Sequence, residues 1–220
     1  LINVGVPIDT QGVIGAFRVV VAEPQNGTWS RTVVGTAPQA DEPRPRMVFD
    51  GDGRLIVAWG GSNDAAGGGY AMRPLGATAW SMAKPIHPRC EGDVALSMAE
   101  GAVRIVYVRA VTKTDIRKFG GNFIEDPPRQ DYPKLAIARL SNDGWTEERI
   151  LERDNLLLCD APALAGSHLV YLREKEEEGH EKCVYVDIAI AGTPEIVAGP
   201  KTLGDDVVID CTSSEGHALV

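Results

Sequence analysis

Apolar residues in this chain come in short runs, most of them alternating with polar ones at a period of two, and Gly-, Asn- or Asp-containing turns punctuate them. Four segments line up: Phe17–Trp29, Gly69–Trp80, Lys134–Trp145 and Cys183–Pro194. Each is a strand-like run followed by a glycine-bearing turn. The first three reach a tryptophan that opens another run, as in Trp29–Val34 and Trp145–Ile150. β-formers, turn residues and β-formers again make a hairpin. A second hairpin type recurs between these, in Met47–Trp59, Asp93–Val108, Ala161–Leu172 and Val207–Val220. Its turn glycines Gly53, Gly101, Gly166 and Gly216 occupy positions where positive φ is expected.

With strands A and B assigned to the Met47–Trp59 type of hairpin and C and D to the other, the chain reads as four-stranded units that recur. Trp29, Trp80 and Trp145 are spaced by about 50 to 65 residues, the span of a propeller blade. The pattern predicts an all-β fold, a β-propeller of four-stranded antiparallel blades over residues 1–220. Blade-like units fall roughly at 1–36, 37–88, 89–155 and 156–202, with a partial one at 203–220. A sandwich or barrel would also show short strands, but without this register of glycine and tryptophan. The repeated tryptophans are expected to pack between neighbouring sheets. The first run, Leu1–Val6, reads as a strand B without its strand A, and the chain closes inside another strand B. Four closed blades and a fragment of a larger ring of five to seven blades both fit.

Composition narrows the functions. Among 220 residues, 22 are Lys or Arg and 31 are Asp or Glu, a net charge of −9. That balance disfavours duplex nucleic acid, whose affinity comes from neutralised phosphates, and anionic membrane surfaces. No apolar run approaches the ~20 residues of a membrane-spanning helix, so no membrane insertion is expected. Cys90, Cys159, Cys183 and Cys211 form no CxxC pair, and their three possible pairings stay open. Asn26–Thr28 is a single sequon. The compartment is open, with extracellular or periplasmic the favoured side.

Three turns carry incomplete versions of a familiar motif: Asn26–Trp29, Gly76–Trp80 and Ser141–Trp145. Their placement between strands C and D resembles the Asp box, roughly Ser-x-Asp-x-Gly-x-Thr-Trp, of sialidase-like (BNR-repeat) β-propellers. The stretch Asp50–Trp59 is similar to the A–B hairpin of these proteins. The resemblance implies a fold. Asp boxes in that family are structural and lie opposite the active site, so they imply no chemistry.

In such a ring the B–C and D–A loops share one face, where a ligand is expected. The B–C loops are Ser62–Gly69, Thr112–Asp131 and the charged Arg173–His180; long loops in compact domains often carry function. The starts of strands A bring acids to that face: Asp41, Glu42, Glu91, Asp93, Asp160, Asp205 and Asp206. Clustered carboxylates raise one another's pKa or recruit a hard cation, so calcium is a possible cofactor and otherwise none is expected. Arg109 and Arg173 occupy equivalent ends of strand B, with Arg44 and Arg46 beside a strand A. Arginine forks grip carboxylates, of a ligand or of neighbouring acids. Trp59 ends a strand B, where it can stack on a sugar or fill the core. The candidate ligand-binding residues are therefore Trp59, Glu91, Asp93, Arg109, Asp160 and Arg173.

Sialidase-type catalysis, as the resemblance implies it, needs an arginine triad, a tyrosine nucleophile paired with a carboxylate, and an acid/base aspartate. Tyr107 and Tyr171 are strand residues, and no full set assembles. HExxH, GxSxG, Walker A and GxGxxG are absent. The sequence thus predicts a non-catalytic propeller that binds a glycan or other small ligand. A sialidase-like hydrolase of acidic sugars and a module docking a protein partner in a larger assembly are the alternatives.

Overall fold

The computed structural model describes residues 2–4, 17–37, 45–61, 67–111, 132–151, 159–174, 181–189, 195–205, 212–214 and 217–219. All regular structure among them is β. Seventeen strands follow in order. They are β1 (Ile2–Val4), β2 (Phe17–Gln25), β3 (Thr28–Ala37), β4 (Arg46–Phe49), β5 (Leu55–Trp59), β6 (Gly69–Arg73), β7 (Lys84–Pro85), β8 (Cys90–Ala99) and β9 (Ala102–Val111). There follow β10 (Tyr132–Ser141), β11 (Gly144–Ile150), β12 (Cys159–Ala165), β13 (His168–Glu174), β14 (Glu181–Ala189), β15 (Glu195–Asp205), β16 (Thr212–Ser214) and β17 (His217–Leu219). No helix among the described residues is long and apolar enough to cross a membrane.

The strands form antiparallel meanders in which sequence neighbours are hydrogen-bonded neighbours. Sheet 1 runs β1-β2-β3, sheet 2 β4-β5-β6-β7, sheet 3 β8-β9-β10-β11 and sheet 4 β12-β13-β14-β15; β16 and β17 make a final hairpin. An all-β chain with several four-stranded antiparallel sheets is what the two alternating hairpin types call for. The turn chemistry agrees. Asn26 and Gly27 take φ of 49° and 78°, and Glu100 and Gly101 take 48° and 73°, the paired positive values of a type I′ turn. Gly53 and Gly166 have φ of 74° and 59°. Gly216 lies outside the described residues.

The chain divides into two compact units, Leu1–Asp93 and Val94–Val220. In the first, sheets 1 and 2 pack against one another through Val19, Val21, Val34 and Ala37 on one side and Val57, Trp59 and Ala71 on the other. Close packing needs glycine here. A β-carbon added to Gly35 would stand 2.3 Å from the Trp59 ring, and one on Gly69 2.6 Å from it. Gly60 likewise lets the backbone run against Gly92, whose carbonyl oxygen would lie 1.6 Å from an added β-carbon.

In the second unit, sheets 3 and 4 share a core of Val106, Val108, Leu135, Ile137, Leu164, Leu169 and Tyr171. The Gly166 amide donates to Ser97 Oγ at 2.7 Å and ties the β12–β13 turn to β8. Central strands are buried on both faces: all of β5, and every residue of β9 from Val103 to Arg109.

Trp29 departs from the expectation that the repeated tryptophans pack between sheets. It is 65% exposed. It pairs with Pro24 at the turn end of sheet 1, on the face opposite Val19 and Val21. Val33 on that face is also exposed, while its cross-strand partner Val20 is buried. Trp80, by contrast, packs on the core shared by sheets 1 and 2.

Candidate functional site

The six residues singled out from the sequence meet different fates. Trp59 is a correction to the sugar-stacking role: it is 1% exposed, it is clamped between Gly35 and Gly69, and its Nε1 donates to the Thr36 carbonyl at 3.2 Å. No ring face is left for a sugar, and the residue fills the core. Glu91 and Asp93 lie in β8, and the Gly60–Gly92 contact brings their backbone beside the end of β5. Asp93 is partly buried; the Glu91 side chain lies outside the described residues. Asp160 and Arg173 sit on neighbouring strands, where Cys159 pairs with Arg173 and Asp160 with Leu172. Their side chains also lie outside the described residues, as do Asp41, Glu42, Arg44, Asp206 and most of the B–C loops. Among the described residues no three His, Cys, Asp or Glu side chains gather as a metal site.

Arg109 is described in full, and it is sealed. It is 2% exposed and ion-paired with Glu147: Nη2 donates to Oε1 at 2.9 Å, and Nε lies 2.8 Å from Oε2. The Tyr107 hydroxyl donates to the same carboxylate, 2.6 Å from Oε2. Lys134, fully buried, pairs across the strands with Arg109. The next residue, Glu148, serves the other side of the sheet. It meets Arg104 at 3.2 Å and Arg139 at 3.5 Å. The pleat makes this division, since neighbouring strand residues point to opposite faces; Ile137 pairs with Arg149 and Ala138 with Glu147, so Glu148 is the extra residue of a bulge. Tyr107, the nearest thing to a tyrosine nucleophile paired with a carboxylate, is 1% exposed. Chemically the cluster is a buried ion-pair network, and removing one of its members would leave the other's charge buried.

An open cleft lies in the first unit, at the other end of the strands, where the A–B and C–D turns sit. Its volume is about 430 Å³. One wall is the β2–β3 arm with Glu23, Gln25, Ser30 and Thr32; the others are the β4–β5 turn, with Phe49 and Gly53, and the β6–β7 turn, with Arg73 and Leu75. The β4–β5 turn is pinned by Asp50, whose Oδ1 accepts from the Asp52 and Arg54 amides at 3.0 and 2.7 Å. Burial opposes the Asp50 charge, but the Arg54 side chain and amide outweigh it and hold the carboxyl below its usual range. Across the cleft, Arg73 makes a two-pronged ion pair with Glu23 and lies over the Trp80 ring, 5.0 Å from its centroid. The hydrogen bond from Arg73 outweighs partial burial and lowers the Glu23 pKa. The same bond raises that of Arg73.

Sequence reasoning passed over Glu23, Arg73, Glu147 and Glu148. The signal was available for one of them. Glu23 continues the inward series Val19, Val21, just as the candidate Arg109 continues Ile105, Tyr107; a charge at an inward position of a period-two run needs a partner. Which partner it finds lies in sheet-to-sheet packing and in strand register.

No protein-family model matches the chain, and no curated protein matches it.

Proposed function

We propose that this chain is a sialidase-like β-propeller module that binds a glycan or another ligand on the face of its B–C and D–A loops, without cleaving it. The architecture draws support from central strands buried on both faces. A two-layer sandwich leaves one face of each sheet to solvent, whereas blades stacked around an axis cover both.

One observation carries the non-catalytic reading: Tyr107 and Arg109, the described residues nearest to the chemistry of a sialidase, are locked on Glu147 and closed to solvent. A nucleophile must reach its substrate's anomeric carbon, and a buried phenol spent on a structural carboxylate does not. The test is a glycan array run beside a hydrolysis assay on chromogenic acidic-sugar glycosides. Binding without turnover is expected. Turnover at rates above a heat-inactivated control would overturn the reading and restore the hydrolase, and a featureless array at high protein concentration would remove the glycan.

A second reading, an interaction module of a larger assembly, is favoured by one feature: the exposed Trp29 and Val33 on a single face of sheet 1. It predicts concentration-dependent association in sedimentation that Trp29→Ser abolishes. A monomer at all concentrations would remove it.

A further inference from the structure

We infer that the cleft at the turn end of the first unit is a binding site for a neutral, polyhydroxylated ligand, a saccharide unit. It lies at the opposite end of the strands from the loop face proposed above and does not depend on that reading.

Size comes first. About 430 Å³ is within the roughly 300–1,000 Å³ of small-ligand sites. Rigidity comes next, because a site binds well when its groups are held before the ligand arrives. Every wall is fixed. Asp50 ties the β4–β5 turn, and the Ala77 amide donates to the Pro74 carbonyl at 3.1 Å in the β6–β7 turn. Arg73 is held by Glu23 at its tip and by Trp80 beneath its plane.

The chemistry of the walls then selects the ligand class. Arg73 and Glu23 cancel in charge, so an incoming anion has to displace Glu23 and an incoming cation has to displace Arg73. Neither has an advantage over a neutral molecule. The pair still offers hydrogen bonds, because Glu23 occupies two of the five guanidinium donors and each carboxylate oxygen keeps a lone pair. Fixed donors beside fixed acceptors match sugar hydroxyls, which donate and accept together. Ser30, Thr32 and Gln25 add groups of the same double kind. The rim supplies the apolar half: Phe49 is 59% exposed and Leu75 75% exposed, on the two turns that flank the opening. Single exposed apolar residues are ordinary. Two facing one polar cleft form a platform for the C–H face of a pyranose, as aromatic rings do for ligands with one apolar and one polar side.

The experiment is isothermal titration of the full chain with four neutral tetrasaccharides, built of glucose, galactose, mannose and N-acetylglucosamine, and with one sialylated oligosaccharide. Phe49→Ala, Leu75→Ser and Thr32→Ala are titrated in parallel; Phe49, Leu75 and Thr32 are exposed, so thermal unfolding midpoints should stay within experimental scatter. At least one neutral tetrasaccharide is expected to bind, and Phe49→Ala to weaken it by about tenfold. The sialylated ligand should gain nothing from its charge at this site. Absence of heat with all four neutral sugars overturns the proposal, and so does neutral-sugar binding that survives all three substitutions. Binding of the sialylated ligand alone, indifferent to the three substitutions, leaves the loop-face reading standing and removes this one.

Discussion

Glu147 and Glu148 are adjacent in sequence and opposite in direction, and each answers arginines on its own side of sheet 3. Removing one partner of the buried pair strands the other. Arg109→Ala and Glu147→Ala should therefore each destabilise the protein by about 3–5 kcal/mol, read from urea unfolding. Replacing both with apolar residues, Arg109→Met with Glu147→Leu, should recover most of that loss. Equal losses in the single and double variants would show that the pair is not what holds these positions. Trp59→Ala should cost a similar ~3–5 kcal/mol, because Gly35 and Gly69 cannot close the cavity. The Glu23–Arg73 pair gives a pH dependence. The folded pKa of Glu23 lies below its ordinary 4.5. Its contribution to stability is thus complete above the unfolded value and is lost as pH falls through the folded one. Glu23→Gln should flatten the stability profile below about pH 5 and leave it unchanged at neutral pH apart from a constant offset.

At the scale of elements, the hairpins were written in the sequence and the faces only partly so. Turn glycines gave the first: Gly53, Gly101 and Gly166 all take positive φ. Gly53→Ala should cost about 1–2 kcal/mol for the left-handed backbone, with no effect on the Glu147 network. A loss no greater than that of Gly51→Ala, its neighbour in the same turn, would contradict the argument. Strand content and four-stranded meanders followed from the same grammar. The fate of each tryptophan did not. Trp29, Trp80 and Trp145 hold equivalent places in the sequence repeat, yet Trp29 lies in β3 and is exposed, whereas Trp80 precedes β7 and packs on a core. The difference lies in which face of its sheet each ring joins, which the local pattern does not encode. Trp59 was ambiguous for a related reason: a large aromatic at a strand end reads alike whether it meets a ligand or two glycines. The cleft was invisible in the sequence because its walls come from three turns of two different sheets.

At the scale of the whole molecule, the chain carries a net charge of −9 and its described residues form all-β, antiparallel sheets, which the proposed function reads as like units added one to the next. In such an array, stability resides in the surfaces between sheets as much as in the sheets themselves. Both-face burial of β5 and β9 is the physical basis for reading these sheets as blades. The direct test is a crystal structure of this chain at a resolution that places side chains. The account predicts four-stranded sheets radiating from one axis, with the strand A of each sheet nearest that axis and the B–C loops gathered on one rim. Two sheets pressed into a sandwich, each with one face in solvent, would contradict it.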